Sequence, residues 1–323
     1  MRVVRYREYG GPEVLVAERS EVPVPAPGEV LIRAEVIGVN FIETQRRRGQ
    51  APIPSPLPGA PAGDVVGIVE ALGDGVSGLA AGDRVAAAVF HDAYADFVTA
   101  EAGWLVPLPA GLDPLAASVL ASPAQTAWTV VRTARIEAGE TVLVHAAAGT
   151  IGHLAVQLAR LAGAGTIVAT ASSPAKLDFA REYGADITID YSRATWPAEA
   201  RDSVGEVDVI LDSVGGETTH RGIGLLAPFG RLVSFGSAGG GPEMPVVSTM
   251  DLMGMKYVTG SSLAEWRLRR PDQVRAGLAE LIDHLDHGRL RVGIHAALPL
   301  AEAARAHQII EDRTQLGRVV LLP

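Results

Sequence analysis

The chain contains no cysteine. That excludes disulfides, thiolate zinc sites, iron–sulfur clusters and a cysteine nucleophile. A reducing, cytoplasmic location is compatible with this and is the expectation. No apolar run approaches the ~18–20 uncharged residues that a membrane-spanning helix needs, so no membrane association is expected. The opening "MRVVRYREYGGPEVL" lacks an apolar h-region, and no signal peptide is expected. Positive charge is in deficit: 28 Lys and Arg stand against 37 Asp and Glu, a net charge of −9 and a pI near 5.4. An acidic surface repels phosphate backbones, so no nucleic-acid partner is expected, although a small local cationic pocket stays open. A G-x-S-x-G elbow is also missing, and Ser213 in "LDSVGG" follows a strand that fits a dinucleotide-binding sheet.

What remains is a large apolar inventory. With 323 residues and 48% hydrophobic composition, the chain has enough for two domains. The first third reads as short valine-rich strands, "RVVRYREYG", "EVLIRAEVIGVN", "AGDVVGIVEALG" and "DRVAAAV", broken by Gly and Pro. Their spacing points to a barrel-like β unit. The proline-rich stretch at 51–63 reads as an extended, ordered loop. From about Pro123 the pattern changes to apolar strands alternating with amphipathic helices. "TVLVHA" precedes "IGHLAVQLARLAG", "TIVATA" precedes "PAKLDFAREYG", and "DVILDSV" and "GRLVSFG" follow. Such alternation implies a parallel sheet. The final residues add a helix, a strand, a helix and a last strand, "GRVVLLP", that return to the first domain.

The turn after "TVLV" carries the most chemistry. It reads Ala146-x-x-Gly149-x-x-Gly152 and opens a helix. In a dinucleotide-binding unit the glycines give a tight turn and let the backbone approach a pyrophosphate, which the helix N-terminus then holds. Ala147 replaces the first Gly of the G-x-G-x-x-G fingerprint, so the flanking strand and helix carry the reading. A glycine-rich βα turn with no ligand is the alternative. At the end of the second strand, where an NAD site carries Asp or Glu, the chain reads "ATASSPAK". Ala171, Ser172 and Ser173 carry no negative charge and Lys176 follows within a turn, which suits a 2′-phosphate and hence NADPH. Ser173 as a helix N-cap ahead of Pro174, with Lys176 solvated, is compatible with the same residues.

These segments, with "GGPEVL", "PGEVLIRAEVIGVNFIET", "GDVVGIVEALGDGVSGLAAGDRV", "ETVLVHAAAGTIGHLAVQLARLAGA", "GADITIDY", "DVILDSVGGE" and "GRLVSFGSAGG", resemble the zinc-independent quinone oxidoreductase branch of the medium-chain dehydrogenase/reductase superfamily. The resemblance spans essentially the whole chain. It implies an α/β fold, with a GroES-like β-rich catalytic domain at 1–122 and 264–323 and a Rossmann-type parallel-sheet, NADPH-binding domain at 123–263. It places Gly149, Thr150, Ile151 and Gly152 under the pyrophosphate, and Ser172, Lys176 and Tyr191 at the 2′-phosphate. Thr126 falls near the nicotinamide end, Phe235 and Gly236 over its ribose, and Arg318 within reach of the cofactor, with a solvated charge as the alternative for Arg318. It also implies a homodimer, with "MKYVTGSSL" at 255–263 as the pairing strand.

Departures from the family pattern bear on mechanism. Asn40 and Gly63 stand where zinc-dependent relatives carry Cys and His, so no metal is expected. His284 and His287 lie near a helix C-terminus, where dipole contact explains them. Without a Lewis acid, conjugated acceptors such as quinones, enones and enals need least activation, and the protein need only position the partners and supply donors. Asn40 is the candidate donor, or else a structural amide. Gln45 stands where relatives carry a Tyr and cannot donate a proton as a phenol can; water or another residue such as Tyr94 is the substitute, or the reaction needs no enzyme acid. His91, Asp92 and Tyr94 are pocket candidates or an ordinary loop. Arg46, Arg47 and Arg48 are expected to be solvated, with one available to an anionic ligand. The readings carried forward are an NADPH-dependent reductase of quinones or conjugated carbonyls, an enoyl or enone reductase of secondary metabolism, and an NADPH-binding protein with little turnover.

Overall fold

The computed structural model describes residues 1–51, 55–239 and 246–323. Residues 52–54 of the proline-rich stretch and the last glycine of "GRLVSFGSAGG", at 240, lie outside the described residues. The chain divides into two compact units, Met1–Ser122 with Ile282–Pro323, and Pro123–Leu281.

The first unit begins with β1 (Arg2–Arg5), β2 (Val16–Arg19), β3 (Glu29–Gly38), α1 (Phe41–Arg47), β4 (Gly63–Leu72), β5 (Arg84–Val89), β6 (Phe97–Glu101), β7 (Leu105–Pro107) and α2 (Pro114–Ala117). The second runs α3 (Pro123–Ala134), β8 (Thr141–Val144), α4 (Thr150–Leu161), β9 (Thr166–Ala171), α5 (Pro174–Glu182), β10 (Ile187–Asp190), α6 (Trp196–Val204), β11 (Val207–Asp212), α7 (Gly216–Ile223), β12 (Leu226–Ser234), α8 (Thr249–Leu252), β13 (Tyr257–Gly260), α9 (Leu263–Arg269) and α10 (Pro271–Asp286), whose last residues already count with the first unit. The chain then closes the first unit with β14 (Ile294–Pro299), α11 (Ala303–Glu311) and β15 (Arg318–Leu322).

In the first unit one sheet runs β14-β15-β3-β4-β5-β7, with β6 also on β3, and β1 and β2 form a hairpin. Long β3 and β4 bend: their register shifts twice, between Leu31 and Ile32 and between Ala34 and Val36, the local coiling a barrel-like sheet requires. Their inward residues, Val30, Ile32, Val65 and Val69, join Tyr94, Leu300 and Val319 in one core. The 51–63 stretch carries no helix where it is described, and a mutual backbone pair between Tyr6 and Gly59 ties it down.

The second unit is a six-stranded sheet in the order β10-β9-β8-β11-β12-β13, every pairing parallel. Counted from β8, that order is 3-2-1-4-5-6, the doubly wound arrangement whose reversal falls between the first and fourth strands. The central strands are buried except at Thr141 of β8 and Asp208 of β11, and are mostly apolar, as a sheet covered on both faces demands.

The return to the first unit comes at Ile282 and not at 264. Trp128 of α3 explains the shift. Its ring meets Trp266 edge-on at 5.8 Å, its indole N–H donates to Glu280 at 2.9 Å, and Gly277 leaves it room, since a Cβ there would overlap the ring. These contacts hold α9 and most of α10 on α3. Aromatic anchoring of this kind leaves no mark on hydrophobic periodicity, which made the boundary invisible.

Candidate active site

The β8–α4 turn is built around Ala146, which adopts the left-handed conformation (φ 50°). Ala147 N donates to Thr170 O and Gly149 N to Ala146 O, so the chain reverses directly off the strand end. The first helical bond runs from His153 N to Gly149 O. The N–H groups of Ile151 and Gly152 therefore precede the helical ladder, where an anion is favoured. Gly152 has no alternative: a Cβ would press onto the Ala146 carbonyl and lie 2.8 Å from Ala147 Cα, both immovable backbone. At Gly149 a Cβ would meet only Ala146 O, at 3.3 Å.

One strand across, β9 ends at Ala171, and Tyr191 N donates to Ala171 O at 3.1 Å. That bond brings Tyr191 beside the Ser172 segment. Lys176 Nζ donates to Ser172 Oγ at 3.1 Å, so an ammonium and an exposed hydroxyl meet where an NAD site would hold a carboxylate. Ser173 takes the N-cap place of α5 with Pro174 at its first position, but its side chain makes no capping bond.

At the carboxyl ends of β11 and β12 the two loops are laced together. Phe235 N donates to Asp212 O, Ala238 N to Ser213 O, and Gly239 N to Val214 O. The buried Asp212 carboxylate accepts Val214 N at 2.7 Å, Gly215 N at 3.2 Å and the Thr219 hydroxyl. Phe235 is thereby half-buried and Gly236 exposed at the strand ends, where such sheets bind ligands. Thr126, half-buried, lies in the first turn of α3, which packs on α4.

In the first unit the structure brings Asn40 and Arg318 together, with Asp64 as their hub. Asn40 is the N-cap residue of α1, with no side-chain capping bond; its Nδ2 instead donates to Asp64 Oδ2 at 2.9 Å. Arg318 donates to Asn40 Oδ1 at 2.6 Å and to Asp64 Oδ2 at 2.8 Å, and Ser122 Oγ donates to Asp64 Oδ1 at 2.6 Å. Arg318 is fully buried, which corrects the expectation that it reaches the cofactor and the alternative that it is solvated. Its guanidinium fits because Gly38 has no side chain to occupy the same space.

Tyr94 is corrected as well. It is fully buried in the β-rich core, its hydroxyl lies 3.0 Å from His307 Nε2, and burial pushes its pKa well above the ordinary phenol value. A phenol so placed donates no proton to a ligand. Gln45 is half-buried and donates to Thr44 Oγ1 at 3.2 Å. His91 is exposed, and Asp92 pairs with Arg5. Within the arginine triplet only Arg47 departs from the solvated expectation, since Arg48 is exposed and Arg46 partly so. Arg47 is fully buried against Glu311, Arg48 shares that carboxylate, and Arg46 pairs with Glu43. Glu43 is buried, which lifts its pKa to about 6 despite Arg46 and the Ala62 N–H on its oxygens. His287 bonds back to the Asp283 carbonyl, and His284 Nδ1 accepts from Arg289. Among the described residues no group of three or more His, Asp or Glu side chains is arranged to hold a metal ion, and no helix is long and apolar enough to cross a membrane.

Sequence comparison decides the family. Residues 26–110 match the alcohol dehydrogenase GroES-like domain and residues 150–283 the zinc-binding dehydrogenase domain. A quinone oxidoreductase of Pseudomonas aeruginosa is 38% identical, covering 99% of each chain. The chain belongs to the quinone oxidoreductase branch of the medium-chain dehydrogenase/reductase superfamily. A 2-haloacrylate reductase of Burkholderia is 34% identical over 97% of this chain and 96% of its own. Among solved structures, Escherichia coli quinone oxidoreductase complexed with NADPH superposes with a TM-score of 0.91 at 32% identity, covering both chains completely. A mycobacterial protein complexed with NADPH gives the same TM-score at 36% identity, again over all of both chains. Within this superfamily the turn at Gly152 and the Ser172–Lys176 pair fit NADPH: the first accepts only backbone, and the second offers a hydroxyl and a cation to a phosphate.

Proposed function

We propose that this chain is an NADPH-dependent reductase that passes hydride to a quinone or a conjugated carbonyl acceptor. The carrying observation is the Lys176–Ser172 contact at the end of β9, one strand from a β8–α4 turn closed to any side chain at 152. Bound there, NADPH supplies the hydride. The chain's own groups hold and orient. The N–H groups of Ile151 and Gly152, with Gly149 and Thr150 shaping the turn, take the pyrophosphate. Ser172, Lys176 and Tyr191 take the 2′-phosphate, while Thr126, Phe235 and Gly236 border the nicotinamide end. Asn40 offers an N–H to the acceptor oxygen as negative charge grows there, and conjugation spreads that charge. A quinone that gains a hydride needs one proton to become a hydroquinone. Water supplies it, because Tyr94 is closed in the core and Gln45 is no acid at neutral pH.

Reduction of the alkene of an enone or acrylate is the second reading, and the likeness to a 2-haloacrylate reductase favours it. NADPH consumption against 1,4-benzoquinone, a naphthoquinone and a panel of enones, enals and acrylates separates the two. The proposal expects turnover with at least one conjugated class, with a hydroquinone or a saturated carbonyl as product by mass spectrometry. Tight NADPH binding with no turnover across the panel would leave the non-catalytic reading and defeat this one.

A homodimer and a cytoplasmic location belong to the same proposal. Among the described residues the edge strand β13 pairs with β12 on one side only, and Tyr257 on it is exposed, as are nearby Met250, Met253 and Met255. A free strand edge beside apolar side chains invites pairing with a second copy. A single monomer-sized boundary in sedimentation velocity at micromolar concentration would contradict it.

A further inference from the structure

We propose that Asp64, acting with Arg318, is a positioning residue that locks the Asn40 carboxamide in one orientation and so aims its remaining N–H at the acceptor. The inference rests on the reading of Asn40 as the donor. Asp64 is the second residue of β4 and is 1% exposed, and Arg318 opens β15 and is 0% exposed. Strand pairing brings them together: β3 lies between β4 and β15, with Gly38 opposite both Asp64 and Val320. A buried ion pair of this kind is a poor source of stability, because desolvation consumes most of the Coulomb gain. It is well suited to fixing a geometry.

The geometry here grips both ends of one amide. Asp64 Oδ2 takes an Asn40 N–H at 2.9 Å, and Arg318 donates to Asn40 Oδ1 at 2.6 Å. Turning the amide over would set its oxygen against a carboxylate and its NH2 against a guanidinium. Both contacts then become repulsive in a dry environment, so a single orientation survives. Asp64 is in turn held by Arg318 at 2.8 Å and by the Ser122 hydroxyl at 2.6 Å. Asn40 Nδ2 carries two N–H groups, and one is committed to Asp64. The second has no acceptor among the described residues, and Asn40 is partly exposed. A donor held rigidly before the reaction costs no reorganisation when charge develops, which is what makes it effective.

The test compares three variants of the full chain by kcat, NADPH dissociation constant and melting temperature. Asn40→Ala is expected to lower kcat about a hundredfold with NADPH binding unchanged. Asp64→Asn keeps the shape but frees the amide to turn, and kcat is expected to fall at least about tenfold, again with NADPH binding unchanged. The exchange Asn40→Asp with Asp64→Asn restores a carboxylate on Arg318 and an amide across from it. It should recover much of the melting temperature while kcat stays low, because the side chain at position 40 no longer carries an N–H. Should Asp64→Asn alone fail to fold, the exchange decides. Full kcat in Asp64→Asn overturns the positioning role, as does kcat that recovers with the melting temperature in the exchange, which would make the network purely structural. Full kcat in Asn40→Ala overturns instead the reading of Asn40 as donor.

Discussion

Gly152→Ala is expected to weaken NADPH binding at least about a hundredfold, equivalent to about 3 kcal/mol. On helix propensity alone the change should help, since Ala is about 1 kcal/mol better than Gly inside a helix. Contact geometry overrides propensity. The new methyl would overlap the Ala146 carbonyl and come within 2.8 Å of Ala147 Cα, and neither atom belongs to a side chain that can turn away. The turn must open, and the N–H groups of Ile151 and Gly152 leave the place proposed for the pyrophosphate. Gly149→Ala is the control, because its methyl would meet a single atom at 3.3 Å. Fluorescence titration of NADPH and a thermal melt of both variants check this. If Gly152→Ala binds NADPH like the parent, the β8–α4 turn is not the pyrophosphate site.

Mild acid should destabilise the protein well before its carboxylates are all protonated, because two histidines are buried uncharged. His307 is fully buried beside Tyr94, and desolvation, then the nearby Arg47 charge, lowers its pKa to about 3. His145 is fully buried with Nδ1 2.7 Å from Thr170 Oγ1, and desolvation lowers it to about 4 against the opposing pull of Asp212. Both folded values lie below the unfolded value near 6.5, so the unfolded state binds more protons at lower pH. Their stability is complete above pH 6.5 and is lost as pH falls toward 4 and 3. At pH 5 each has lost about 2 kcal/mol. Glu43 works the other way: its folded value of about 6 lies above the unfolded one, so protonation favours the fold and returns about 1 kcal/mol by pH 5. The net loss between pH 7 and 5 from these three groups is about 3 kcal/mol, or about 4–5 °C in melting temperature for a chain of this size. His307→Gln, which keeps a hydrogen-bonding group but cannot titrate in this range, should flatten the slope. A melting temperature unchanged from pH 7 to 5 in the parent would show that these imidazoles are not buried neutral.

The parallel-sheet unit was legible because short, mostly apolar strands alternate with amphipathic helices that begin at recognisable turns. "TVLV" into Gly149 and Gly152, and "TIVATA" into Ser173 and Pro174, are local signals that need no tertiary knowledge. The Asp64 hub was not legible. Its partners Asn40, Ser122 and Arg318 are 24, 58 and 254 residues away, and only the β4-β3-β15 adjacency joins them. The available clue was a lone carboxylate in the run "AGDVVGIV", which a buried strand tolerates only with a partner. Arg47 was misread for a related reason. In "QRRR" nothing local separates it from its neighbours, and its counter-charge Glu311 arrives on the penultimate element. The residue type of Tyr94 suggests a chemical role, whereas its surroundings make it part of the core.

The most direct measurement is kcat/KM for NADPH and for NADH with one quinone held saturating, in the parent and in Lys176→Ala. The ammonium and hydroxyl proposed for the 2′-phosphate should each contribute about 1.5–3 kcal/mol when the bond is charge-assisted. The account therefore predicts that the parent prefers NADPH by at least about a hundredfold, and that Lys176→Ala loses most of that preference with little change for NADH. Equal kcat/KM for the two nicotinamides, or an equal loss of both on removing Lys176, would contradict it.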